Sequence, residues 1–156
     1  MPSRRELIAM TPDEVREYLL TQQRIILITN GANGFPHPAP MNFGLDEQGR
    51  VLMLTFAKSQ KVKNLERDPR ATLLVESGRS YEELKSVILY AETEIIHPGP
   101  AFEAARASFT KKTQTRTAHT PEMLAQIDES MKKRVCLRFT PTRTISWDHG
   151  KLAGKY

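Results

Sequence analysis

The residues best suited to chemistry in this chain lie at positions 59–69, which read S-Q-K-V-K-N-L-E-R-D-P. We expect Ser59 to be the N-cap of a short helix, with its side-chain oxygen accepting a backbone N–H. The free N–H groups and positive dipole end of such a helix attract anions, and Lys61 and Lys63 are poor dipole partners unless something negative lies beside them. The stretch therefore predicts a phosphate pocket, with a solvated helix on a basic protein as the alternative.

A strand and a helix must position this pocket. Residues 51–55 read V-L-M-L-T, a short apolar run that is typical of a buried strand. Asp68-Pro69 ends the helix about two and a half turns after Ser59, because proline disfavours helical geometry in the residue before it. The sequence therefore predicts, in order, a strand, a phosphate-binding turn and a helix.

The first half of the chain predicts an N-terminal helical segment, residues 1–22, and then a meander of antiparallel strands. T-P-D-E at residues 11–14 has Thr at the N-cap, Pro at N1 and Glu at N3, which is a capping box. A strand is predicted over 24–29, followed by the turn N-G-A-N-G, a proline-rich extended segment over 35–45 and a second turn over 46–49.

The second half predicts strands over 71–76, 87–96, 135–140 and 143–147, helices over 101–109 and 121–132, a polar connection over 111–120 and a tail over 148–156. A chain of this length is expected to form a single domain, residues 1–156. Six or more strands with few helices between them favour a mostly β fold with peripheral helices, as a small closed or split β-barrel.

Three alternating prolines interrupt the extended segment, which reads P-H-P-A-P at residues 36–40. Proline has no N–H for a strand ladder, so one edge of this strand must stay unpaired. Two interpretations remain open. The edge lies along the flat ring of a ligand, or it is an outer strand protected against aggregation.

Composition narrows the class of protein. The net charge of +5 and the pI near 9.5 are compatible with nucleic acid, a membrane surface or anionic small molecules. The basic residues are scattered and the aromatic residues are not interleaved with them, which disfavours nucleic-acid binding. Neither an apolar run of about 20 residues nor a signal-peptide h-region occurs, so we expect a cytoplasmic protein that binds no membrane.

The common catalytic and metal-binding signatures are missing from the sequence. The single cysteine, Cys136, lies in the strand-like V-C-L-R-F and is interpreted as a small core hydrophobe rather than a nucleophile. The four histidines are far apart in sequence and do not suggest a ligand set, so no metal site is predicted.

Taken together, these motifs resemble a known family. The chain contains, in order, a strand, G-x-P-H-x-x-P, a turn, a second strand, S-x-K-V-x-N-L-x-R-D-P-R, Y-E-E-L and finally S-W-D-H-G-K-L. Over about residues 10–156, this order resembles the pyridoxamine 5′-phosphate oxidase-like flavin and deazaflavin oxidoreductases. The resemblance implies a homodimer of six-stranded antiparallel split β-barrels. Each dimer would bind FMN, or alternatively the deazaflavin coenzyme F-420, in two equivalent grooves at the subunit interface.

The resemblance also assigns roles to individual residues. Thr55, Ser59 and Lys61 would contact the cofactor phosphate, with Lys63 and Asn64 beside them. The tricyclic ring would lie against a strand that presents main-chain groups, formed by Pro38, Ala39, Pro40, Met41 and Asn42. Trp147 would reach the site from the partner subunit, with a place in the core as the equal alternative.

Two departures from the family pattern affect the expected reaction. True pyridoxamine phosphate oxidases carry an arginine near Ala39 and another near Gln60, and this chain has neither. Oxidation of pyridoxamine phosphate is therefore not expected. The glutamate tail of F-420 would require more basic groups, for which Lys58, Lys63 and Arg67 are available.

The function implied is hydride transfer between the bound cofactor and a small conjugated or quinone-like substrate. Since a cofactor of this kind carries the hydride, the protein supplies binding, orientation and electrostatics. No side chain is an evident general acid or base, and His37 and Asn42 are the candidates for orienting a substrate. A non-catalytic cofactor carrier or stress protein, and a ligand-free structural dimer, remain as alternatives.

Overall fold

The computed structural model describes residues 1–113 and 119–155. Its helices are α1 (Arg4–Ile8), α2 (Pro12–Thr21), α3 (Gln60–Arg67), α4 (Pro100–Thr113) and α5 (Pro121–Met131). Its strands are β1 (Arg24–Asn30), β2 (Pro36–Asn42), β3 (Gly44–Leu45), β4 (Val51–Phe56), β5 (Arg70–Ser77), β6 (Lys85–Ile96) and β7 (Arg134–Asp148). Short 3-10 turns occupy Tyr81–Glu83 and His149–Leu152.

The strands form one antiparallel sheet in the order β2-β1-β5-β6-β7-β4-β3, which curls into a half-barrel with the helices at its periphery. The prediction of a mostly β antiparallel fold is therefore confirmed. The strand count of six was wrong, because the part of the chain that the structure describes forms a sheet of seven strands. Part of the connection predicted over 111–120 and the last residue of the tail lie outside the described residues, and the remainder of the tail begins within β7.

Two predicted strands are one strand in the structure. We predicted a break between residues 140 and 143, where Pro141 stands, but β7 runs without interruption from Arg134 to Asp148. The register against β6 shifts at this point, since Tyr90 pairs with Arg143 and Ala91 pairs with Pro141. Thr142 is thereby left as the extra residue of a β-bulge, which accommodates the proline without ending the ladder.

The capping box predicted at the start of α2 is confirmed. The Thr11 hydroxyl accepts the Glu14 N–H at 3.2 Å, and the Glu14 carboxylate accepts the Thr11 N–H at 2.8 Å. Buried residues of α2, among them Val15 and Leu19, join the main core of the sheet. Helix α2 is therefore fixed by both its cap and its packing.

A second, smaller core lies between α4 and the side of the sheet opposite the main core. Phe102 and Ala105 of α4 pack there with Leu52 and Cys136, so the cysteine is a buried core residue, as predicted. Burial raises the pKa of the Cys136 thiol to about 11, which keeps it protonated and unreactive at neutral pH.

Helix α4 approaches the junction of β2 and β3 very closely. A Cβ added to Gly44 would lie 2.6 Å from the Cα of Phe109, so only glycine fits between the strand and the helix. Three residues further along α4, the Lys112 ammonium lies 3.7 Å from the centre of the buried Phe43 ring and donates hydrogen bonds to the backbone carbonyls of Phe43 and Gln22. These contacts hold α4 beside the site described below.

Candidate functional site

The predicted helix start is present, but its cap differs from the expectation. Ser59 occupies the N-cap position of α3 with extended backbone angles, φ −70° and ψ 155°. Its hydroxyl makes no cap hydrogen bond, so that part of the prediction was wrong. The Ser59 Oγ is buried and finds no hydrogen-bond partner among the described residues. A buried polar atom without a partner is unfavourable unless a ligand supplies the hydrogen bond.

The orphaned hydroxyl leads to a prediction. Ser59→Ala should leave the free energy of unfolding unchanged within about 0.5 kcal/mol, because no cap bond is lost and an unsatisfied buried oxygen is removed. The matched control, Thr11→Ala at the working cap of α2, should lower it by about 1 kcal/mol. Urea denaturation of both variants measures the difference. A loss at Ser59 as large as that at Thr11 would show that the hydroxyl serves the helix.

Lys61, in the first turn of α3, is a half-buried ammonium. Burial, and then the nearby charge of Arg134, lower its pKa. Within residues 1–113 and 119–155 no carboxylate lies within ion-pair distance of Lys61. Two neighbouring cations, of which Lys61 has no carboxylate within ion-pair distance among the described residues, create a local positive potential that favours an anion at this position.

Arg134 is a site residue that the sequence analysis missed. It pairs across the sheet with Phe56, the last residue of β4, and its guanidinium lies 4.2 Å from the centre of the Phe56 ring. Its Nε donates to the Ser130 hydroxyl at 3.2 Å and its Nη1 to the Leu54 carbonyl at 3.4 Å. The only sequence signal was the basic triplet at residues 132–134, whose position beside Lys61 depends on the pairing of β4 with β7.

The proline-rich strand β2 borders the site with a free edge. Among the described strands β2 pairs only with β1, with Pro38 opposite Ile28 and Pro40 opposite Ile26. Because the prolines cannot donate, these are non-hydrogen-bonded pairs, and their carbonyls point to the free edge. The predicted unpaired edge is thus confirmed. It presents hydrogen-bond acceptors, and Asn42 is the first residue after the prolines to add an N–H there.

Among the described residues, two cavities that border β2 are lined by predicted site residues. The first, of ≈ 320 Å³, is lined by Gly31, Ala32, Asn33, Phe35, Pro36, His37, Gln60 and Asn64, and we call it the His37 cavity. The second, of ≈ 410 Å³, is lined by Arg24, Pro40, Met41, Asn42, Leu54, Phe109, Met131 and Arg134, and we call it the Arg24 groove. One strand therefore joins both cavities.

The polar side chains of the His37 cavity differ in whether their hydrogen-bonding atoms have partners. Asn64 is fully buried, donates to the Thr29 hydroxyl at 3.0 Å and accepts from the Gln60 side-chain amide at 2.8 Å, which ties α3 to β1. The Nδ1 of His37 is buried without a hydrogen-bond partner among the described residues. His37 is therefore the second side chain of this region, after Ser59, with an unused polar atom.

The structure brings together some of the predicted site residues and separates others. Pro38, Ala39, Pro40, Met41 and Asn42 are consecutive on β2. Thr55 is buried near the end of β4, and Lys63 is exposed on α3. Trp147 lies at the end of β7 opposite Arg134 and pairs with Ser86, so within one chain it is separate from both cavities.

In the described part of the chain, no group of three His, Cys, Asp or Glu side chains is arranged to hold a metal ion. The same residues include no helix with the length and apolarity needed to cross a bilayer.

Comparison with known proteins identifies the family of this chain. Residues 11–148 match the model of the family described as pyridoxamine 5′-phosphate oxidase. No curated protein matches the chain. The crystal structure of conserved hypothetical protein Rv2991 from Mycobacterium tuberculosis has 32% sequence identity and a TM-score of 0.85, with 99% of this chain and 95% of that chain covered.

Two more distant structures share the fold. An FAD-binding protein from Mesorhizobium loti has 13% identity and a TM-score of 0.66, with 88% of this chain and 92% of that chain covered. A protein described as an F420 reductase has 19% identity and a TM-score of 0.59, with 82% and 94% covered. The match over residues 11–148, which include β2 and the start of α3, shows that this chain belongs to the pyridoxamine 5′-phosphate oxidase family.

Proposed function

We propose that the protein is an oxidoreductase that binds a flavin or deazaflavin cofactor through its ribityl phosphate. One observation carries this proposal: the Ser59 hydroxyl is buried without a hydrogen-bond partner, and two residues later in the sequence the Lys61 ammonium, with no ion pair among the described residues, has its pKa lowered by burial and by the nearby charge of Arg134. A phosphate would accept hydrogen bonds from all three groups. It would also neutralise the positive potential that burial now makes unfavourable.

The residues around the site fit such a group. Thr55, Ser59, Lys61 and Arg134 would hold the phosphate, with Lys63 and Asn64 beside them. Strand β2, from Pro38 to Asn42, would border the ring, because its acceptor-rich edge suits the ring N–H and the ribityl hydroxyls. When bound, the cofactor would supply two-electron hydride chemistry.

The protein's own contribution to the reaction is binding and orientation. The unpartnered His37 Nδ1 can bind a substrate hydroxyl or carbonyl according to its tautomer, and the Asn42 side chain is exposed beside the Arg24 groove. We propose these two residues as the groups that orient a conjugated or quinone-like substrate.

Pyridoxamine phosphate is not the proposed substrate. Gln60, which stands near the position where true oxidases carry an arginine, donates its amide to Asn64 and serves the attachment of α3. Ala39, near the other such position, has no polar side chain. FMN is our first choice of cofactor and F-420 the second. The fold is shared with an FAD-binding protein and an F420 reductase, and both choices present the phosphate that the site requires.

The experiment that tests this function is titration of the purified, cofactor-free protein with FMN and with F-420, followed by absorbance and fluorescence. We expect saturable binding of at least one cofactor and its reoxidation from the reduced form by quinones. Binding without turnover would instead identify a non-catalytic carrier or stress protein. Failure of both cofactors to bind at millimolar concentration would refute the proposal.

We further propose that the active form is a homodimer. The side of the sheet opposite the main core carries a row of half-buried aliphatic side chains in direct register, namely Ile26, Leu74, Ile88 and Ile145. Trp147 lies two residues beyond Ile145 and therefore on the same side of β7. A second copy packed on this row would bring Trp147 towards the neighbouring site, where the family resemblance places it.

The dimer leads to a prediction about stability. The melting temperature should rise with protein concentration, because folding and association are linked when the interface is obligate and buries upwards of about 2,000 Å². Sedimentation velocity at micromolar concentration, combined with melting curves over a hundredfold concentration range, measures both quantities. A compact monomer that binds cofactor with full affinity would contradict the interface and the role of Trp147.

A further inference from the structure

The Arg24 groove combines two cations with apolar walls. Among residues 1–113 and 119–155, its charged lining residues are Arg24 and Arg134, with no aspartate or glutamate beside them in the lining. Met41, Leu54, Phe109 and Met131 form the apolar wall, at the point where β2, β4, α4 and α5 meet. The groove therefore offers a positive potential beside a surface that suits a flat, apolar body.

Arg134 is held in place with one nitrogen to spare. Its Nε and Nη1 donate to Ser130 and to the Leu54 carbonyl, and the Phe56 ring supports the guanidinium plane. Its Nη2 has no hydrogen-bond partner in the part of the chain that the structure describes. A guanidinium fixed in this way loses little entropy when it binds an anion.

Arg24 provides the second positive charge. It is the first residue of β1 and pairs with Asn42 at the end of β2. No ion pair within residues 1–113 and 119–155 involves its guanidinium. Since Arg24 belongs to β1 and Arg134 to β7, the two charges reach the groove from elements that are far apart in the sheet order.

We propose that the Arg24 groove binds the carboxylate of a conjugated or aromatic acid. The planar guanidinium groups match the geometry of a carboxylate, and the methionine and phenylalanine side chains pack against the unsaturated body. This inference rests on the proposed function in one respect, in that it names conjugated carboxylic acids as the substrate class of the same site. Carboxylates are also present in the glutamate tail of F-420, which lacks the conjugated body but is the second possible source of the charged group.

The experiment uses trans-cinnamate as the probe and uncharged cinnamamide as its matched control. Binding is measured by isothermal titration calorimetry on the full chain, both cofactor-free and loaded with FMN. We expect cinnamate to bind at least about tenfold more tightly than the amide, because only the carboxylate forms charge-assisted hydrogen bonds. Equal affinities for the two compounds, or binding of neither, would overturn the inference.

Three substitutions localise the effect. Arg24→Gln and Arg134→Gln should each weaken cinnamate binding about tenfold, whereas Arg79→Gln, which removes the same charge from an exposed loop, should have no effect. Arg24→Gln should leave FMN affinity unchanged, while Arg134→Gln should lower it as well because Arg134 is one of the residues proposed to hold the phosphate. Arg24 is exposed and belongs to neither core cluster, so its substitution tests the groove even if Arg134→Gln folds poorly. Unchanged cinnamate affinity in Arg24→Gln would contradict the proposal.

The same measurements separate this inference from the proposed function. If cinnamate binding depends on both arginines but the protein binds no FMN, the carboxylate site in the groove is supported and the proposed cofactor is refuted. If the protein binds FMN but not cinnamate, the proposed cofactor is supported and the carboxylate site is refuted. To identify the source of the carboxylate, F-420 is compared with its tail-free deazaflavin phosphate. An Arg24→Gln effect confined to the tailed form, with competition by cinnamate, would assign the groove to the cofactor tail.

Discussion

Replacement of Lys61 by alanine is expected to weaken FMN binding by about 1.5–3 kcal/mol, the range of a charge-assisted hydrogen bond. The ammonium has no acidic partner in the described residues, so an anionic ligand would become its main interaction. Its pKa is lowered by burial and by Arg134, which means that folding disfavours its charge. The substitution should therefore leave the free energy of unfolding unchanged or slightly raised. Fluorescence titration and urea denaturation measure the two effects.

Lys58→Ala is the matched control for this prediction. Lys58 is exposed in the turn between β4 and α3, so its substitution removes the same charge from the same segment at a position that is not buried. Its effect on FMN affinity should be about 0.5 kcal/mol or less. If Lys61→Ala and Lys58→Ala weakened binding equally, the phosphate site would not lie at the start of α3. An unchanged dissociation constant in Lys61→Ala would refute the assignment directly.

Replacement of Phe43 by alanine is expected to cost about 3–5 kcal/mol of folding free energy, the largest effect that we predict. The Phe43 side chain is fully buried between β2 and β3, so its removal leaves a cavity in the main core. It also removes the ring beneath the Lys112 ammonium. Because α4 is held to this junction, cofactor affinity should fall together with stability.

Phe35→Ala is the control for Phe43. Phe35 precedes the same proline-rich strand, but its side chain is 73% exposed, so the substitution should change the free energy of unfolding by about 0.5 kcal/mol or less. Both variants are compared with the wild type by urea denaturation at one protein concentration, because association affects stability. A cost below about 1.5 kcal/mol at Phe43 would show that the junction repacks without it.

Much of the fold could be predicted because its signals are local. The capping box of α2, the apolar run of β4 and the Asp68-Pro69 end of α3 each depend on neighbouring residues. The continuity of β7 could not be predicted in this way, since it depends on a bulge opposite β6 that accommodates Pro141. The alternating prolines correctly indicated an outer strand because proline excludes pairing on one edge by its covalent structure.

The candidate site could be predicted only in part. Lys61 and the β2 strand follow from sequence motifs, whereas Arg134 reaches the site through the pairing of β4 with β7. The orientation of the Ser59 hydroxyl also depends on packing, and a sequence rule for caps describes only the usual case. The pairing of Arg24 with Arg134 in one groove could not be predicted either, because β1 and β7 are not neighbours in the sheet.

The Lys112 ammonium has a consequence for the proton balance of folding. Burial lowers its pKa from 10.5 to about 8, so between these values the unfolded chain binds more protons than the folded one. Folding therefore releases protons in this window, and the free energy of unfolding should rise with pH from about 8 towards 10.5. Below pH 8 both states carry the charge and the dependence disappears. The packing of α4 against the β2–β3 junction thus makes the stability of the fold depend on pH above about 8.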